Sequence, residues 1–290
     1  MKFDKNTKIL IVGLGLIGGS YAKALSDEGY FVGAIDKKKS SVEYALKNGL
    51  IQVGETSVKK DFVKDFDLIV FALYPHDFIN WIKEYQSSIK SGALITDVTG
   101  VKSFVVENVQ KILRGDLEFV GAHPMAGKEV SGVENADPKI FVGANYIVTP
   151  TKRNTDENVQ AVTDLGRALG FERISSLSPE EHDETVGFLS HLTHCIAVSL
   201  MVSKKSHHLA EYTGDSFRDL TRIAKINDEM WSELFLANKD ELLKQMDLFE
   251  EKFNQLREDI KNDNREKIRE TLRESTARRK VFDKDAKETK

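Results

Sequence analysis

The chain has 290 residues, 30% charged and 40% hydrophobic, with a net charge of −4. That is long enough for two domains with a sizeable core, and it offers no broad basic field for nucleic acid. One cysteine, Cys195, leaves no internal disulfide or cysteine-based zinc site and fits a reducing, cytoplasmic setting.

Met1-Lys2-Phe3-Asp4-Lys5 is too polar for a secretory leader, and no uncharged apolar stretch is expected to reach the about 18 residues that span a membrane. In chain order, apolar runs at 9–12, 31–35, 67–73, 93–97, 119–122 and 146–148 alternate with helical spacing as far as Pro150. Runs without a polar face, separated by helices, predict a parallel sheet covered on both sides. Ligands of such sheets bind beyond the carboxyl ends of the strands, which singles out 13–18, Asp36, 74–76, 99–102 and His123. Residues 150–155 read as a polar linker. Beyond it nearly everything has helical spacing, except a short strand around 171–174.

Ser178-Pro179-Glu180-Glu181 joins a capping serine, proline at the first helical position and a glutamate that closes a capping box. The helix it opens is expected to run to about Lys204. Farther on, Leu242, Met246, Phe249, Phe253, Leu256 and Ile260 recur at spacings of four, three, four, three and four. That is a coiled-coil-like seam, either internal core or, from its length and charged flanks, a subunit interface. The charged tail 283–290 is expected to fray. The predicted division is a dinucleotide-binding domain over 1–152 and a helical substrate and dimerisation domain over 153–290.

The most specific local signal is Gly13-Leu14-Gly15-Leu16-Ile17-Gly18 between a buried strand and a helix face. Gly13 permits the tight turn, Gly15 removes the Cβ that would strike a pyrophosphate, and Gly18 lets helix and strand approach. Unpaired amides at the helix start, including those of Leu16 and Ile17, face the phosphates. Asp36, at the end of the second strand, can accept hydrogen bonds from both ribose hydroxyls. It would repel a 2′-phosphate, which favours NAD over NADP unless Lys37-Lys38-Lys39 turn inward. A glycine-rich turn that binds nothing is the alternative, and Asp36 weighs against it.

Histidine at 123, after a strand at the cofactor edge and followed by Pro124 and Gly127, can take a substrate proton near neutral pH. On the helix after Ser178, a 100° period aligns Asp183, Gly187, Ser190 and His194 among apolar neighbours. Such a stripe needs partners, and a substrate-cleft wall is the expected reading, with a satisfied core network as the alternative. The segment 217–224 pairs Arg218 and Arg222 with Asp219, and an arginine fork suits a carboxylate.

In this order the segments resemble the prephenate dehydrogenase family, with arogenate dehydrogenase as sister activity. The resemblance covers about 8–253 and rests on the glycine turn with Asp36, Asp97-Val98-Thr99-Gly100-Val101-Lys102, His123-Pro124-Met125-Ala126-Gly127, Ser190-His191-Leu192-Thr193-His194, Thr221-Arg222-Ile223-Ala224 and Met230-Trp231. It implies an α/β fold: a Rossmann-type doubly wound sheet, then an all-α domain that forms a homodimer, with a cleft between. By resemblance the cofactor is NAD, no metal takes part, and the substrate is prephenate or arogenate, with no nucleic acid or membrane partner.

Carried over by motif, His123 is the catalytic histidine, Arg222 holds a substrate carboxylate, and His194 contacts substrate. Ser190, Thr99 and Trp231 line the site, while Glu129, Asp183 and Asp219 gate or support it. Two departures stand out. Gly100 occupies a position where many relatives carry a serine that assists the histidine, so that hydroxyl is missing or comes from Thr99. Thr193 stands where proline is common. No regulatory ACT domain or fused chorismate mutase is expected. Related dehydrogenases for 3-hydroxyacids or imines commonly carry a catalytic lysine where this chain has Ser190, His191 and His194. A non-catalytic dinucleotide sensor would have no need of His123.

Overall fold

The apolar runs become strands whose alternate residues pack on opposite faces. In the computed structural model, which describes residues 1–205 and 208–282, β1 (Lys8–Val12) sends Ile9 and Ile11 into one core and Leu10 and Val12 into the other. Each fully buried side chain of this size contributes about 1.5–3 kcal/mol, so both faces need helical cover. That cover comes from α1 (Leu16–Asp27), α2 (Lys39–Lys47), α3 (Lys60–Val63), α4 (Pro75–Tyr85) and α5 (Ser103–Ile112). With β2 (Phe31–Ile35), β3 (Val53–Glu55), β4 (Leu68–Phe71), β5 (Leu94–Asp97) and β6 (Glu118–Phe119), the sheet is all parallel in the order β3-β2-β1-β4-β5-β6. Strand order reverses between β1 and β4, where such sheets bind ligands.

The run at 119–122 is not one strand. Val120 still donates to the Ile95 carbonyl (3.0 Å), but β7 (Gly121–Pro124) leaves for a second sheet, antiparallel to β8 (Asn145–Thr149). After the linker, α6 (Asp156–Ala168) leads to β9 (Arg173–Ser176), parallel to β8, so α/β structure continues to Ser176. β3, with its half-buried Val-Gly-Glu sequence, carried no apolar run to announce it.

The capping box forms as expected: the Ser178 hydroxyl accepts from Glu181 N (3.1 Å) and Glu181 accepts from Ser178 N (2.8 Å). The helix is not uniform, however. α7 (Pro179–Val186) passes into a π-helical segment, Gly187–Leu192, and then into α8 (Thr193–Val202). By length and composition, Pro179–Val202 is apolar enough to cross a membrane, contrary to the sequence expectation. Gly, Ser, Thr and His interrupt its apolar residues without adding formal charge. One side of it, with His182, Asp183, Val186, His191 and Leu192, is buried, whereas Phe188, Leu189, Met201 and Val202 are exposed.

The first compact unit, Met1–Lys239, closes with α9 (Asp215–Thr221) and α10 (Asp228–Ala237). The second, Asp240–Lys290, holds most of α11 (Lys239–Lys261) and α12 (Arg265–Arg279). Along α11 only Leu242 of the seam is buried; Met246, Phe249, Phe253 and Ile260 are exposed. The tail 283–290 lies outside the described residues.

Candidate active site

The glycine turn has the sterics that a bound dinucleotide requires. Gly13 has φ +99°, and a Cβ there would lie 2.4 Å from the Ala72 carbonyl oxygen. One on Gly18 would lie 2.0 Å from the Gly13 carbonyl oxygen, whereas a Cβ on Gly15 would meet nothing within 4 Å. The first two glycines are therefore demanded by packing, and Gly15 leaves open space above the start of α1. That helix has no side-chain cap, so its first amides remain available to an anion. Leu16 is buried and Ile17 half-buried, so what they can offer a ligand is backbone.

Asp36 is oriented by the same turn and by its own loop: Oδ2 accepts from Leu14 N (2.6 Å) and Oδ1 from Lys38 N (2.7 Å). Lys39 pairs with Glu43 (3.5 Å) rather than turning inward.

His123 lies within β7, opposite Ile147, not in a loop beyond the strand. The strand pairing orients its ring toward a buried polar cluster at the carboxyl end of β5. His123 Nδ1 is 2.8 Å from His182 Nε2, and His182 Nδ1 is 2.8 Å from Asp183 Oδ1. Burial pushes His123 well below its ordinary value, and nearby His182 and Lys102 push it the same way. The ring is therefore neutral at pH 7.

Asp183 also accepts from the amides of Lys102 (2.8 Å) and Ser103 (2.8 Å) at the start of α5. Lys102, fully buried, reaches Asp97 Oδ2 (2.6 Å) and the Thr99 hydroxyl (3.1 Å). Burial lowers its pKa, with Asp97 opposing. Asp97 Oδ1 in turn accepts from Ala122 N (3.1 Å), one residue before His123.

Asn238 donates to the Asp183 carbonyl (2.9 Å) and to His191 Nδ1 (3.2 Å). Burial pushes His191 down to about 4.

A second cluster contains His194, stacked on Trp231 at 3.7 Å between ring centroids, and the ion pair of Arg222 with Glu129. Burial lowers the His194 pKa, while its contact with the Ser190 carbonyl and the charge of Glu129 raise it and Arg222 lowers it. Ser190 supplies its carbonyl oxygen to His194 Nδ1 (2.8 Å). Tyr74 and Asn227 hydrogen-bond (3.0 Å) and His76 pairs with Glu233 (2.6 Å), tying the start of α4 to α10. Among the described residues no group of three His, Cys, Asp or Glu side chains is placed to hold a metal.

Several sequence expectations change here. Asp183 is buried under α5 and holds His182, so it takes no part in the Glu129–Arg222 pair. The π segment, with i→i+5 bonding, breaks the 100° phase that aligned Asp183 with His194. Thr99 is buried, its hydroxyl shared among Asp97, Val101 and Lys102, so it neither assists His123 nor lines an open site. Asp219 is exposed on α9. His182 and Asn238 were missed. The adjacent pair His182-Asp183 on a helix of buried residues was the available signal, but its partner lies 59 residues away in sequence.

The parallel sheet, glycine turn and histidine at the strand ends define a dinucleotide-dependent oxidoreductase. Comparison with known proteins narrows this. Residues 21–173 match the family described as "Prephenate dehydrogenase, nucleotide-binding domain", and 178–274 match "Prephenate dehydrogenase, dimerization domain". The chain is 32% identical to prephenate dehydrogenase of Bacillus subtilis, over 90% of this chain and 72% of that protein. A structure of A. aeolicus prephenate dehydrogenase in complex with hydroxyphenyl propionate and NAD+ superposes with a TM-score of 0.87 at 33% identity, covering 96% of this chain and 98% of that one. Synechocystis arogenate dehydrogenase superposes with a TM-score of 0.82 at 25% identity, covering 96% and 100%. The chain belongs to the prephenate dehydrogenase family.

Proposed function

We propose that the chain catalyses the NAD-dependent oxidative decarboxylation of prephenate to 4-hydroxyphenylpyruvate in tyrosine biosynthesis. The observation that carries this is a neutral His123, one ring nitrogen engaged by His182, at the strand ends of a sheet with an open dinucleotide turn. NAD+ bound at Gly13, Gly15, Leu16, Ile17, Gly18 and Asp36 supplies the hydride acceptor. Asp36 is held beside the glycine turn by Leu14 N, and Lys39 is engaged elsewhere, which supports NAD over NADP.

His123 draws the proton from the hydroxyl on the ring carbon that is oxidised. A ketone-like centre forms there, the ring carboxylate departs as carbon dioxide, and aromatisation makes the step effectively irreversible. Positioned bases of this kind contribute about 10²–10⁴-fold. Arg222 holds a substrate carboxylate once Glu129 yields it, and His194, Trp231 and Ser190 orient the ring.

A specific observation supports arogenate as a second substrate. A carbonyl oxygen only accepts, so His194 Nδ1, against the Ser190 carbonyl, carries the proton. The neutral ring then offers a bare Nε2, which suits an ammonium donor and cannot donate to a ketone. Exposed Phe188, Leu189, Met201 and Val202 on the apolar helix, and the exposed seam of α11, support a homodimer, and we read neither helix as a membrane span. We also propose a cytoplasmic location.

The test is to supply NAD+ or NADP+ with prephenate or arogenate and follow the absorbance of the reduced cofactor. Binding without turnover of either substrate would reduce the chain to a dinucleotide sensor.

A further inference from the structure

The hydrogen bonds behind His123 have a direction that can be read from donors and acceptors alone. Asp183 accepts backbone N–H groups on both oxygens, from Lys102 on Oδ1 and Ser103 on Oδ2. Burial by itself would raise its pKa, but the hydrogen bond from His182 and these amides outweigh that, and the carboxyl is held below its ordinary value. It is ionised and only accepts. His182 Nδ1, 2.8 Å from Oδ1, therefore carries a proton.

His182 is fully buried, burial lowers its pKa despite Asp183, and a second proton on its ring would place a cation near buried Lys102. The ring is neutral, so Nε2 is a lone pair. The only way for His123 Nδ1 to lie 2.8 Å from it with favourable bonding is as a donor. The His123 proton thus sits on Nδ1, and Nε2 is left bare.

We propose that His182, locked by Asp183, is the positioning residue that fixes His123 in the tautomer with Nε2 free to take the substrate proton. This rests on the reading of His123 as the base. The arrangement occupies a role that a hydroxyl at position 100 could otherwise share. A Cβ built on Gly100 would stand 3.8 Å from His123 Cε1, so a serine there would border the same ring, but this chain has none and the Thr99 hydroxyl is engaged elsewhere. When Nε2 takes the proton, His123 becomes an imidazolium whose Nδ1–H remains bonded to His182. Asp183 then stabilises that charge through the intervening ring, as a buried carboxylate does for a catalytic histidine in other folds.

The test combines ring tautomers with kinetics on the full-length protein. In ¹⁵N-histidine-labelled protein, long-range ¹H–¹⁵N spectra assigned by loss of signals in His123→Asn should show His123 protonated on Nδ1 and bare on Nε2. In His182→Leu the Nε2-protonated form should appear. There kcat should fall about 100-fold, with KM for prephenate and the NAD+ Kd changed less than about twofold. In His182→Gln the amide can accept from His123 and donate to Asp183, so it should recover at least about tenfold of that loss.

A wild-type His123 carrying its proton on Nε2 overturns the proposal. So does a folded His182→Leu protein with kcat within about threefold of wild type. If His182→Leu does not fold, the wild-type spectra and the kcat of the glutamine variant decide. Wild-type protein that turns over neither substrate would instead refute the proposed function, while the spectra still judge the tautomer.

Discussion

Lys102→Met tests the buried charge pair on which the site is built. The lysine side chain has no exposed surface, and its ammonium lies 2.6 Å from Asp97 Oδ2 and 3.1 Å from the Thr99 hydroxyl. Methionine keeps much of the volume and removes the charge, leaving the Asp97 carboxylate without its cation. Breaking a buried pair from one side costs about 3–5 kcal/mol. Asp97 would still accept from the amides of Thr99 (3.0 Å) and Ala122 (3.1 Å) and from the Thr99 hydroxyl, which argues for the lower end, about 3 kcal/mol. At roughly 2–4 °C per kcal/mol in a protein of this size, Tm should drop by about 6–12 °C. Asp97→Asn in the same chain removes the stranded charge, and the double variant should regain at least about 1.5 kcal/mol against additivity. Thermal unfolding followed by circular dichroism at pH 7, with protein concentration held constant because a dimer is expected, reads both. A Lys102→Met protein melting within about 2 °C of wild type, or strict additivity in the double variant, would refute the reasoning.

For His123→Asn, cofactor binding should survive while turnover falls by about two orders of magnitude or more; steady-state kinetics beside NAD+ titration checks this, and near-normal turnover would reduce His123 to a positioning group. The active form is neutral, and burial holds the His123 pKa well below 6.5. Activity should therefore be level around neutrality and lost only as pH falls through that depressed value; an acidic limb centred at or above pH 7 would contradict it. Arg222 is mostly exposed and already paired with Glu129, so Arg222→Ala should raise KM about tenfold with either substrate, less than a fully desolvated arginine would lose. Asp36→Ser should narrow the preference for NAD+ over NADP+ by about tenfold or more in kcat/KM. An unchanged ratio would assign the choice to Lys37 and Lys38.

What was legible in the residue order has local causes. Gly13 takes a positive φ and Gly18 faces the Gly13 carbonyl within one strand-turn-helix unit, and Asp36 accepts from Leu14 N of that turn and from Lys38 N two residues on. The Ser178–Glu181 capping box closes over three residues, and the apolar runs declare a sheet because alternate residues must enter two cores. Residues 119–122 read as one strand because both halves are equally apolar. Only pairing decided that Phe119 stays beside β5 while Ala122 crosses to β8, and this crossing turns His123 toward His182. The helical stripe was drawn on an ideal 100° wheel, which a π segment at Gly187–Leu192 invalidates. Asp183 looked like a gate by motif, yet it caps α5 and fixes a histidine, because charge in a buried setting goes to whichever donors the fold brings within 3 Å. Steric demands and periodicity act between near neighbours and can be read along the chain. The partner of His123 and the amides that hold Asp183 come from separate segments, so only tertiary packing determined which hydrogen bonds they make and which ring nitrogen remains free.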